Sequence, residues 1–222
     1  LPGSTVSGPY ILGDDKLAAG VLEQVGNQSV EFAEFEECLF RPAKDVEDEL
    51  DDIAAEEGTE QVVGWLVKIL SSWEARASGM TPKLQDRVLW RIGSYPLFLG
   101  WQLKPDSGLE TDLKLEIVQA AKCVTLSIPA LIPSTEAMET AYFMWWDLLA
   151  SGEFEHPVGD LLIETYRDLV VHPDERVRIA ALHGLGHLVH PGRESAVDLY
   201  LQFHPEDRAE ERVQQCRAGT LM

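Results

Sequence analysis

A chain of 222 residues that is 45% hydrophobic carries enough apolar surface for one large domain or two small ones. Its 38 acidic and 18 basic residues leave a formal net charge of −20, a field that repels nucleic acid and anionic membrane and speeds encounter with cationic partners. No apolar run reaches the roughly 18 residues needed to cross a bilayer, because the longest, Ile117 to Pro133, is broken by Lys122, Ser127 and Pro129.

The first residues, "LPGSTVSGPY", have neither a basic stretch nor an apolar one, so no secretory signal is expected. Cys38, Cys123 and Cys216 are odd in number and far apart, which argues against a disulfide framework and for a reducing, cytoplasmic setting. Cys123, in "AAKCVTL", reads as a small core residue. A short helix is expected from Asp14. In "SVEFAEFEECLF", Val30 and Phe32 alternate as in a strand while Phe32, Phe35 and Leu39 keep helical spacing, and helix is favoured. At most one small strand, near Val30 to Phe35, is expected in the chain.

The charge is uneven. Up to Glu60 there are 16 acidic and 3 basic residues, a net of −13; the remaining 162 residues carry 22 and 15, a net of −7. In "KDVEDELDDIAAEEG", Val46, Leu50, Ile53 and Ala54 mark one apolar helix face and Gly58 a stop. Nine of the sixteen residues from Asp45 to Glu60 are acidic and none is basic, so the outer face is nearly all carboxylate. A calcium loop would need oxygen ligands at alternating positions and a glycine at the sixth, and neither is present.

Further along, "TPKLQDRVLWRIG" reads as a helix with Thr81 as N-cap, Pro82 in the first turn and Gly93 at the end. "DLKLEIVQAAKCVTL" is a helix before Pro129. "STEAMETAYFMWWDLLASG" is expected to start at Ser134 or Thr135 and stop at Gly152. Its adjacent Phe143, Met144, Trp145 and Trp146 point in different directions, as in a helix buried on several sides.

The last third has a rhythm. His-Pro occurs at 156, 172, 190 and 204, at intervals of 16, 18 and 14 residues. Proline is tolerated at a helix start and disfavours helix in the residue before it, so each pair marks a boundary between helices. Four helices with a two-helix period near 33 residues are the signature of an α-solenoid. The unit "HPDERVRIAALHGLGHL" resembles the second half of a HEAT-type repeat: Asp174 stands at its start, Arg178 at the recurrent basic position, and "AALHGLGHL" is the packing helix. The resemblance is clear over about residues 156–205. It implies an all-α helical-repeat fold, with residues 1–58 an acidic segment packed on a repeat body of residues 59–222. HEAT-like proteins are mostly scaffolds, adaptors and inhibitors, and the resemblance locates no site.

His183, His187 and His190 in "HGLGHLVHP" are spaced i, i+4 and i+7. With His183 at 0°, ideal helix geometry puts His187 at 40°, His190 at 340° and Arg176 at 20°, while the apolar side chains run from about 120° to 260°. The histidines then lie opposite the core. Two histidines at i, i+4 grip a metal from one helix face, but a site also needs a third strong ligand, a second shell and shelter. The charge on this stripe is Arg176, which disfavours a cation, and no HExxH, P-loop, GxSxG or GxGxxG is present. The stripe is expected to face solvent or a partner, and no metal or cofactor is expected.

The sequence therefore points to a non-enzymatic binding protein whose acidic face docks a basic protein, in the concrete form of an inhibitor or immunity protein that neutralises a nuclease toxin. The residues expected to bind are Glu47, Asp48, Glu49, Asp51, Asp52, Glu56 and Glu57. Two alternatives stand beside it: a scaffold or adaptor using the surface of Arg176, His183, His187 and His190, and a metal-dependent enzyme using the histidine stripe.

Overall fold

The computed structural model describes residues 30–42, 46–94 and 97–221; the short helix expected from Asp14 lies outside them. Helical spacing wins in the ambiguous segment, which forms α1 (Val30–Phe40). Its Phe32, Phe35, Cys38 and Leu39 are buried, and both phenylalanine rings lie against Trp65. The small strand element falls elsewhere: β1 (Gly152–Glu153) and β2 (Leu188–Val189) pair in parallel.

The acidic helix α2 (Glu47–Glu57) is anchored by buried Val46 and Leu50 and ends at Gly58, whose φ of 85° suits glycine. Next come α3 (Thr59–Ser71), the short α4 (Trp73–Ala77) and α5 (Pro82–Gly93), where the Thr81 hydroxyl accepts from the Leu84 N–H at 3.3 Å. After α6 (Leu99–Gln102), α7 (Thr111–Leu126) and the short α8 (Ile128–Leu131), helix α9 (Thr140–Ala150) starts later than Ser134 or Thr135. Its cap comes from another helix: the Asp86 carboxylate on α5 accepts from the Ala141 N–H at 2.7 Å.

Each His-Pro pair precedes a helical element. They introduce α10 (Val158–Leu169), α11 (Glu175–His187), α12 (Arg193–Phe203) and, through a 3₁₀ turn at Pro205–Ala209, α13 (Glu211–Ala218). The fold is all-α. Its long helices lie in two rows: α3, α7, α10 and α12 pack side by side in one, and α5, α9, α11 and α13 in the other. Helix α1 packs on α5 and α2 on α3, so the acidic pair extends the stack.

A buried polar chain ties α4, α5 and α9 together. The Trp73 indole donates to the Tyr142 hydroxyl at 2.8 Å, which donates to Gln85 Oε1 at 3.0 Å, and Gln85 Nε2 donates to the Ala77 carbonyl at 2.9 Å. Trp145 Nε1 donates to the Ala121 carbonyl at 3.0 Å, joining α9 to α7. Trp145 and Trp146 are both buried, as expected of a helix covered on several sides. Cys38 and Cys216 are the core cysteines, whereas Cys123 is only half-buried. Among the described residues no helix is long and apolar enough to cross a membrane.

Candidate functional site

The acidic surface is held in place by a buried arginine. Arg91 of α5, 2% exposed, donates to the carbonyls of Leu39 and Arg41 at 2.9 and 2.8 Å and to Glu47 Oε1 at 3.4 Å. It thereby closes the C-terminus of α1 and pins the start of α2. Glu47 is half-buried in this contact, and Glu49 pairs with Arg41 at 2.7 Å, which lowers its pKa. Asp48, Asp51, Asp52 and Glu56 are exposed, and α1 adds exposed Glu31, Glu34 and Glu37. Glu57 is half-buried and lines a shallow groove with Thr59, Glu60 and Lys68. The sequence-marked carboxylates thus divide into Glu47 and Glu49, which fasten the helix, Glu57 at the groove, and four that are exposed.

The histidine stripe does not exist as a surface. Every residue from Ala180 to Gly186 is buried, and His183 is 6% exposed, with the Phe143 ring 4.2 Å from its own. A helix with one covered face would leave the histidines exposed, but α11 sits inside its row, with α9 on one side and α13 on the other. His190 leaves the stripe because the backbone turns extended at Leu188. Its Nδ1 accepts from the Gly192 N–H at 2.9 Å, so Nε2 carries the proton toward Asp160, 3.2 Å away. Arg176 turns back to Asp174 and to the carbonyls of Ile132 and Pro133.

What assembles around α11 is a cluster that sequence reasoning missed. Asp147 of α9 comes within 3.6 Å of His187 Nδ1, and the His183 and His187 rings lie 4.9 Å apart. The glycines between the two histidines permit this. A Cβ at Gly184 would lie 2.1 Å from the Trp146 Cβ, and one at Gly186 would lie 2.9 Å from the Leu221 Cβ. Without side chains there, α9 and the C-terminal segment close on α11 from both flanks, and the residue after Trp146 is Asp147. The legible signal was "HGLGH" itself, histidines separated by small residues on a helix that must be approached closely.

Burial, and then the neighbouring His187, push the His183 pKa down to about 4, so its imidazole is neutral at pH 7. The Nε2 atoms of His183 and His187 are both buried without a hydrogen-bond partner. A groove of about 600 Å³ opens beside His183, bordered by Phe143, Glu210, Glu211, Arg212 and Gln215. A second group, His204, Glu206 and Asp207, lies around the Pro205–Ala209 turn, where the Tyr200 hydroxyl already bonds Asp207.

No family model matches the chain, and no curated protein or solved structure matches it either.

Proposed function

We propose that the chain is a non-enzymatic protein-binding module, a HEAT-like α-solenoid whose acidic α1–α2 end docks a basic partner. In its most concrete form it is an inhibitor or immunity protein that covers the nucleic-acid site of a cationic enzyme such as a nuclease toxin. The observation that carries this reading is the exposed carboxylate face of α2, set beside Glu31, Glu34 and Glu37 and fixed to the body by Arg91. A rigid array of carboxylates occupies the positions that phosphates would take on such a partner, and its field accelerates capture. The stacked helix rows and the HEAT-like unit around Asp174 and Arg178 support the scaffold half of the reading. Arg178 donates to the carbonyls of His172 and Pro173, both at 2.8 Å, and so fastens the turn between two stacked helices.

The test combines Asp48→Asn, Asp52→Asn and Glu56→Gln, which spares Glu47 and Glu49. Capture from the native cell extract at low and high salt should recover basic proteins on the wild type and lose them on the variant. Association kinetics with the captured partner should slow and lose salt dependence. Equal capture and equal kinetics would refute the acidic docking surface.

A further inference from the structure

We propose that Asp147, His183 and His187 form a binding site for one divalent first-row transition-metal ion, with zinc the expected occupant. The donor set is two imidazoles and a carboxylate, which suits zinc and its neighbours and not calcium or magnesium. One donor atom from each residue lies within 4.8 Å of the other two. Metal–ligand bonds of about 2.0–2.2 Å in a tetrahedral set place donors roughly 3.4 Å apart, so modest side-chain rotations draw the three onto one ion.

Two observations separate this cluster from a pair of packing histidines. Buried polar atoms normally find partners, yet the Nε2 atoms of both rings are buried and unpartnered. His183 itself is 6% exposed and lies against the Phe143 ring. The carboxylate arrives from a different helix, so the sequence argument that the stripe carried only Arg176 does not apply to the folded chain. The groove is lined by His183, so the cluster lies beside a surface opening rather than sealed inside the core. Arg212 at its rim adds a positive charge that His183 feels, while Asp147 acts in the opposite sense.

Untagged full-length protein, stripped with a chelator, should bind one equivalent of zinc in calorimetry, and zinc should raise its melting temperature. Asp147→Asn and His187→Gln should each weaken binding at least about tenfold, the lower end of what loss of even an outer-shell partner does. His204→Ala, in the second cluster, should bind like the wild type. Circular dichroism checks that each variant folds. If His187→Gln does not, the near-isosteric Asp147→Asn at a part-exposed position decides alone. No stoichiometric binding, undiminished binding in Asp147→Asn, or loss of binding in His204→Ala would each overturn the site.

Discussion

Asp174 shows how much a single side chain does at a helix start. Its carboxylate accepts from the Arg176 N–H at 2.9 Å, capping α11, and pairs with the Arg176 guanidinium at 2.7 Å. These contacts, the guanidinium hydrogen bond first, hold its pKa below the usual 3.8. A depressed carboxylate contributes stability above its unfolded pKa and loses it as pH falls through the folded one. Asp174→Ala should therefore lower stability by about 1–2 kcal/mol at pH 7, and the gap to the wild type should narrow below roughly pH 4. Denaturant unfolding of both proteins across pH measures this. Asp174 was legible only as standing at the start of the HEAT-like unit, whereas Thr81 was legible as a cap because it acts on its own helix. Asp86 was not, since it caps α9 from 55 residues away, and a search for a local cap fell on Ser134 or Thr135.

At the scale of the element, the decisive contact is between α9 and α11. Gly184→Ala would gain up to about 1 kcal/mol in helix propensity. The new methyl would meet the Trp146 Cβ, which is fixed to the backbone and cannot swing aside. Overpacking of this kind costs about 1–3 kcal/mol, so the net change should be destabilising, and unchanged or raised stability in thermal melts would contradict the close approach. Arg91→Met removes the donor shared by α1 and α2 and leaves the Leu39 and Arg41 carbonyls without it. Its cost should be about 3 kcal/mol, read as faster proteolysis within residues 30–58. The helical wheel failed on α11 for a physical reason. Glycine and histidine do not register as core by hydropathy, yet small residues are what an interior helix needs where neighbours press on both sides. On α9 the tryptophans gave the same information openly.

For the whole molecule, a net charge of −20 is a standing repulsion, densest in the first sixty residues. Because exposed charges are screened over about 10 Å at 0.1 M salt, the melting temperature should rise as sodium chloride is added from low ionic strength. A flat or falling profile would mean that the carboxylates are already neutralised by close partners. The all-α class and the four His-Pro boundaries were legible from periodicity and proline. The arrangement in two rows was not, because α3, α5, α7 and α9 are separated by turns and short helices of unequal length. That arrangement bears on how a disturbance spreads. Each long helix has its main contacts with its row neighbours and with helices of the facing row, so coupling weakens step by step along the stack as in a nearest-neighbour chain. From α2 a disturbance reaches α5 through the Glu47–Arg91 contact, or α5 and α7 by way of α1 and α3, before it arrives at α9 and α11. Amide hydrogen exchange should accordingly show one end opening while the other stays protected. Substitutions at the carboxylate end should therefore leave exchange protection around the histidine cluster unchanged, and the reverse.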